Sequence, residues 1–299
     1  MNKLNNIAGV GFAVLSSATF GLIPLFSIPL LESGISSPTV LFYRFMIATI
    51  AMAAIVGVSG RSFRIERNQI VAVAILSILY ALTAILLLES YKYIPSGIAT
   101  TIHFLYPLAV TLTMAWLFKE HISKSIYLAV IISLAGVALL AWGRHTEGDF
   151  HRGVSFALIT VVTYAAYIIG VMRSRASCID TITLTFYVLL FGAALFFIYA
   201  LATTGIEAIH SLRSWRDLTL LALLCTILSD YTLILAIKRI GSTKTSILGS
   251  MEPLTAVIVG VLYFGEKFDS SSVVGIISII VAVVIVILQS GTNQEVGHN

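Results

Sequence analysis

The chain has 299 residues, of which 58% are hydrophobic and only 11% charged, with a mean hydropathy of +1.00. A water-soluble domain of this size cannot carry that composition on its surface, so the chain reads as a polytopic membrane protein. The net charge of +4 gives no support to nucleic-acid binding, and neither Cys178 nor Cys225 has disulfide or metal-site spacing.

A helix needs roughly 20 mostly apolar residues to cross the hydrocarbon core. Ten such runs follow one another, at 7–29, 38–59, 70–91, 97–117, 126–142, 153–172, 181–203, 217–237, 243–264 and 272–290. The expected fold class is therefore all-α, with ten transmembrane helices. Run 1 is too long, and too poor in preceding positive charge, for a cleaved signal peptide. The connections are short and the tail is only "SGTNQEVGHN", so no separate soluble domain is expected. With a cytoplasmic N-terminus, 11 Lys and Arg residues fall inside and 6 outside, with Arg44 inside span 2 making the total of 18. That bias favours both termini in the cytoplasm.

In chain order, span 2 carries Arg44 a turn or two from its outer end, where a long side chain can snorkel and pair, with Glu89 as the expected partner. Span 3 has Ser77, Tyr80 and Thr83 at helical spacing, above an outer cluster of Glu89, Tyr91, Lys92 and Tyr93. Span 4 puts Thr100, His103, Pro107 and Thr111 on one face, with Tyr106 beside it. Tyr164 and Tyr167 of span 6 are candidate cavity-lining aromatics. Span 8 shows Leu223, Thr226 and Ser229, with Asp230 adjacent, and span 9 shows Thr245, Gly249, Glu252 and Ala256. Spans 5 and 10 are apolar nearly all round, which suits lipid contact or a homodimer interface. Trp116, Trp142 and Trp215 read as interface anchors.

The chain also repeats itself. An offset of 146 lays Lys92 on Lys238, Ser96 on Ser242, Pro107 on Pro253, Phe118 on Phe264 and Glu120 on Glu266. Residues 1–146 (spans 1 to 5) and 147–299 (spans 6 to 10) are thus expected to be two repeats. An odd number of spans per repeat inverts the second relative to the first, a layout carriers use to alternate around a midplane site. "SPTVLFYRF", "YKYIPSGIATTIHFLYPLAVTLTMAWLFKE" and "AIKRIGSTKTSILGSMEPLTAVIVGVLYFGE" resemble the EamA-type branch of the drug/metabolite transporter superfamily, most specifically at Pro107, the Glu252-Pro253 pair and Phe264-Gly265-Glu266. Phe20 stands where many relatives have tryptophan, and "FKE" lacks the usual glycine. The resemblance implies a central cavity lined mainly by helices 1, 3, 4, 6, 8 and 9, and a bacterial inner-membrane exporter of amino acids, related metabolites or amphipathic toxic compounds.

Glu252 and Asp230 are too deep to snorkel. Ionisable groups at that depth cost roughly 2.5 to 3.5 kcal/mol on insertion scales and usually mark a pathway. Glu252 is a candidate substrate-amine or proton-exchange site, or alternatively a neutral acid bonding two helices; the same choice applies to Asp230, and His103 is a candidate partner of Glu252. Pro107 and Pro253 cannot donate to the carbonyls of His103 and Gly249, so each is a candidate helix break or hinge, or merely a kink. Two deep carboxylates beside Tyr80, Tyr106 and Thr226 favour an amine or zwitterion. Phosphorylated metabolites or nucleotide sugars, the runner-up, would want deep cations. A membrane enzyme is disfavoured, because the sequence shows no metal-ligand cluster, no nucleophile with a paired base and no nucleotide-binding loop. A channel is less favoured than a carrier by the repeat. No cofactor or metal is expected.

Overall fold

The computed structural model describes residues 3–119, 149–266 and 270–292, together with scattered positions between 125 and 139. Among these residues the chain is helical throughout, with no strand. Among the described residues, eight helices are long and apolar enough to cross a membrane: Ile7–Glu32, Ser37–Val58, Arg67–Ser90, Ser96–Phe118, Phe150–Arg173, Thr181–Ala202, Leu212–Ile240 and Ser242–Leu262. Each covers one of the predicted runs, with ends that differ by a few residues. The predicted tenth run falls within a further helix, Ser270–Thr292. Ten of the 17 residues of the predicted fifth run lie outside the described residues, as do Glu120 and Trp142.

Several spans are not single helices. Span 1 divides into α1 (Lys3–Phe20) and α2 (Ile23–Glu32), and spans 2 and 3 are α3 (Ser37–Val58) and α4 (Arg67–Ser90). Span 4 divides into α5 (Ser96–His103) and α6 (Tyr106–Phe118), and spans 6 and 7 are α7 (Phe150–Arg173) and α8 (Thr181–Ala202). Span 8 runs from α9 (Leu212–Ala222) through a π turn (Leu223–Leu228) into α10 (Ser229–Ile240). Span 9 is α11 (Ser242–Ile247), a 3₁₀ turn (Leu248–Ser250) and α12 (Met251–Leu262), and α13 (Ser270–Thr292) closes the series.

Proline chemistry sets three of these breaks. Pro24, Pro107 and Pro253 each lie in the first turn of the second segment, where the missing N–H is not needed and the fixed φ already suits a helix. The two prolines singled out in the sequence therefore end one helix and start another, and Pro24 does the same in span 1.

The packing is pairwise. Helix α1 lies on α10 and α4 on α7, so spans 1 with 8 and 3 with 6 are partners. Helix α3 lies on α8, and α5 on α12. Small residues let the first two pairs close up: a Cβ on Gly9 would reach 2.5 Å from Ile240, and one on Gly170 would reach 2.6 Å from Leu76. The core is apolar and aromatic, with Phe45, Met52, Ile98, Ile102, Phe104 and Tyr167 buried. Isoleucine, leucine and valine side chains such as Ile50, Ile78, Val162, Leu254 and Leu262 stay exposed on the outside, as lipid contact requires.

Candidate functional site

The breaks of spans 1, 4 and 9 meet. Gly21 is packed against the main chain of span 9 so closely that a Cβ there would lie 2.5 Å from the Glu252 carbonyl and 2.8 Å from Thr255. At Gly249 a Cβ would overlap the Tyr106 hydroxyl, so the glycine makes room for the tyrosine that crosses from span 4. Around this crossing sit the side chains the sequence marked as deep and polar.

Glu252 is 1% exposed and loosely held. Its Oε2 is 3.5 Å from the Tyr106 hydroxyl, at the long limit of a hydrogen bond. Its Oε1 is 3.5 Å from His103 Nε2, an ion-pair distance whose geometry makes no hydrogen bond, so both atoms remain without a partner. The other ring nitrogen of His103, Nδ1, is 2.7 Å from Thr160 Oγ1, which fixes the ring. Tyr164 closes the cluster, edge-on to Tyr106 at 4.7 Å and 5.0 Å from the His103 ring. Phe20 of span 1 stacks on both His103 and Tyr164.

A second cluster lies one ring further on. Tyr167 is 6.1 Å from Tyr164 and donates a 2.6 Å hydrogen bond to Asp230 Oδ1, while Asp230 Oδ2 is buried without a partner. Tyr80 stacks on Tyr167 at 5.0 Å. The result is a continuous buried series from Glu252 through Tyr106, Tyr164 and Tyr167 to Asp230.

Arg44 corrects an expectation. It does not reach an outer interface or Glu89, whose carboxylate instead takes Lys92 at 2.8 Å. It is 3% exposed and turned into the protein, where Nε donates to Thr226 Oγ1 at 2.6 Å and Nη2 to the Cys225 carbonyl at 3.3 Å. The physical reason is the π turn of span 8. Its wide spacing offers main-chain and hydroxyl acceptors to a donor from outside the helix, and π turns of this kind recur at functional sites. Thr226 is thus the seat of Arg44, and it also donates to the Leu221 carbonyl at 2.9 Å. Arg44 is thus the single buried lysine or arginine among the described residues, deep where its position near the end of span 2 suggests an edge.

Other contributions had a weak signal or none. Ser16 and Ser229 clasp reciprocally, each hydroxyl donating to the other's carbonyl at 2.8 and 3.0 Å, and Ser17 donates to Leu248 in the span 9 break at 3.4 Å. Glu266, noted only as part of a motif, accepts from Ser96 N at 2.9 Å and Ser96 Oγ at 2.7 Å and caps α5. Trp116 is exposed and Trp215 partly so, as interface anchors would be. Among the described residues, no group of three His, Cys, Asp or Glu side chains could hold a metal ion, and both cysteines are free.

The sequence profile of the EamA-like transporter family matches residues 7–142 and again residues 151–288. The chain is 25% identical over 208 residues to the uncharacterized transporter YdfC of Bacillus subtilis, covering 67% of this chain and 66% of that one. It is 26% identical over 210 residues to the uncharacterized transporter sll1319 of Synechocystis, covering 64% and 59%. The alignments thus span just under two thirds of these two relatives. The match to the uncharacterized transporter YetK of Bacillus subtilis is 23% identical over 300 residues and covers 97% of this chain and 88% of that one. The fold is that of a solved crystal structure with a TM-score of 0.73 and 17% identity, covering 97% of this chain and 99% of the other.

Proposed function

This chain belongs to the EamA-like transporter family, and from that premise we propose that it is a secondary transporter exporting small ammonium-bearing or zwitterionic metabolites, amino acids foremost, across the bacterial inner membrane. The observation that carries the reading is the pair of buried carboxylates, Glu252 and Asp230, each with one oxygen that accepts no hydrogen bond. A buried carboxylate with a lone pair unmatched is costly, and a cationic group brought between the helices relieves that cost. A phosphorylated substrate is less well served. Arg44 is one cation among two carboxylates, and a phosphate wants several donors of positive charge.

Transport by alternating access follows from a ten-helix architecture of two inverted repeats, residues 1–146 and 147–299. Three observations support it. The family profile matches twice, once on each half. The pairing of span 1 with span 8 is mirrored by that of span 6 with span 3. Tyr106 and Glu252, which are 146 residues apart and so equivalent under the offset, touch each other, as two equivalent positions do at a twofold axis. Both termini then face the cytoplasm, and the broken helices at Pro107 and Pro253 with Gly249 act as hinges. Glu252, facing His103 and loosely bonded, is the proton-exchange carboxylate. Spans 5 and 10 offer the face for a homodimer.

The test is the ligand-induced melting shift of the purified protein with amino acids, organic amines and phosphorylated metabolites, alongside counterflow in proteoliposomes. Ammonium-bearing compounds are expected to stabilise the protein, and Glu252→Gln to lower flux by roughly tenfold or more, each tenfold being about 1.4 kcal/mol, while folded yield is kept. Stabilisation by phosphorylated compounds alone would overturn the substrate class. Equal loss of flux and folded yield would make Glu252 structural.

A further inference from the structure

Arg44 is a buried guanidinium whose hydrogen-bond acceptors are a threonine hydroxyl and a main-chain carbonyl, both neutral. Among the described residues no carboxylate lies within ion-pair distance of it, and its face toward Phe45 is a cation-π contact at 5.7 Å. Taking an unpaired charge out of water costs several kcal/mol, and neutral acceptors recover only part of it. The acid of the same cluster is Asp230, four residues along span 8 from Thr226, the threonine that seats Arg44. Asp230 spends one oxygen on Tyr167 and leaves the other bare. A buried cation and a buried anion thus share one cluster without pairing with each other.

Beside Arg44 lies a small void of about 10 Å³, the room of a single water. It is lined by Phe20 and Ile23 at the span 1 break, by Tyr80 and Thr83 of α4, and by Leu87 and Leu88. Its walls are thus mostly apolar, and one of them is the broken segment of span 1, the element best able to move aside. Tyr80 is common to both features, since it lines the void and stacks on the tyrosine that holds Asp230.

We propose that Arg44 and Asp230 are the two poles of a binding site for the head group of an α-amino acid, the guanidinium taking its carboxylate and Asp230 Oδ2 taking its ammonium. The apolar void beside Arg44 is the place its side chain enters as span 1 swings away at Gly21–Leu22. This rests on the ammonium-bearing reading above and narrows it, because a plain amine satisfies only one pole. A carboxylate displaces neutral acceptors readily: its two oxygens match the guanidinium fork, and charge-assisted bonds are roughly twice as strong as neutral ones. Loss of the Thr226 and Cys225 contacts on binding also frees the π turn of span 8, which links occupancy of the site to the shape of that helix.

The experiment uses the full-length protein in detergent and reads melting shifts with the twenty proteinogenic amino acids. For the amino acid giving the largest shift, its decarboxylated amine and its deaminated acid are then measured. The amino acid is expected to bind at least roughly tenfold more tightly than either fragment, the magnitude of one hydrogen-bonded charge pair. Arg44→Gln should abolish its advantage over the amine and leave amine binding intact, and Asp230→Asn should abolish its advantage over the acid. Arg44→Lys keeps the charge but not the fork, and should retain part of the preference; it serves if Arg44→Gln does not fold. Because each comparison is made within one variant, a general loss of stability does not imitate the result. An amine that binds as tightly as the amino acid, or a preference untouched by these substitutions, overturns the zwitterion site and leaves the transporter reading standing. No shift with any ammonium-bearing compound overturns both.

Discussion

Spans 4 and 9 have the same backbone and opposite chemistry. Each starts as a short helix, turns once, and restarts on a proline, at Pro107 and at Pro253. Under the 146-residue offset, however, His103 faces Gly249 and Tyr106 faces Glu252. The small member of one pair makes room for a member of the other: Gly249 has no side chain where the Tyr106 hydroxyl lies. The break is therefore architecture, set by proline twice over, and the chemistry was written on it afterwards by different side chains. An exact repeat would place two identical groups against each other at the centre. This one places a phenol and an imidazole against a carboxylate.

The sharpest way to break the comparison is to fill the small position. Gly249→Ala puts a Cβ into the Tyr106 hydroxyl and within 3.3 Å of the Phe104 ring, in a helix break that cannot shift without moving Gly21. Overpacking of this kind costs about 1 to 3 kcal/mol. Its expected outcome is near-complete loss of flux with reduced folded yield, measured by counterflow and by size-exclusion recovery. Tyr106→Phe in the same chain should restore part of both. If Gly249→Ala alone transports normally, the close crossing of spans 4 and 9 is not required.

The next test asks whether the two breaks move as one. Single cysteines on the cytoplasmic and outer halves of spans 4 and 9, one on each side of Pro107 and of Pro253, should change their labelling rates in opposite directions when a stabilising amino acid is added. Changes in the same direction would mean local tightening and would count against hinges at Pro107 and Pro253. A smaller effect is expected from Tyr106→Phe alone. The bond it removes is 3.5 Å long, and interhelical hydrogen bonds in membranes average about 0.6 kcal/mol. Melting should fall by no more than a few degrees, whereas Glu252→Gln acts on flux.

Much of this was legible in the sequence, for a physical reason in each case. Hydrophobic run length located the spans because the bilayer sets a ruler. The depth of Glu252 and Asp230 could be counted along their runs, and the prolines of spans 4 and 9 gave away their breaks. Arg44 was misplaced because depth along a helix says where the Cα is and not where a six-atom side chain goes. The acceptors that draw it inward belong to a π turn, and a π turn has no sequence signature comparable to a proline. The break in span 1 was hidden differently. Gly21 and Pro24 were visible, yet an apolar run of that length reads as one helix. The serine clasp between Ser16 and Ser229 needs two helices to be neighbours, which a single sequence does not state.

A comparably modest effect, on melting and not on flux, is expected at the ends of the two broken spans. Glu266, just past α12, accepts from the Ser96 main chain and hydroxyl and is 3.4 Å from Gly97 N, so it supplies the acceptor that the first turn of α5 lacks. Gly260 is a glycine because a Cβ there would overlap that carboxylate. A carboxylate at a helix start is favoured twice, by the bonds and by the helix dipole, and losing such a cap costs about 0.5 to 2 kcal/mol. Glu266→Ala is therefore expected to lower the melting temperature modestly and to leave the amino-acid preference of the centre unchanged. Glu266→Gln should lie between it and the wild type, since the amide keeps one acceptor and loses the charge. The offset pairs Glu266 with Glu120 and Ser96 with Ser242. A matching loss in Glu120→Ala would carry the equivalence of spans 4 and 9 out to their ends; a loss in one variant alone would confine it to the proline breaks at the centre.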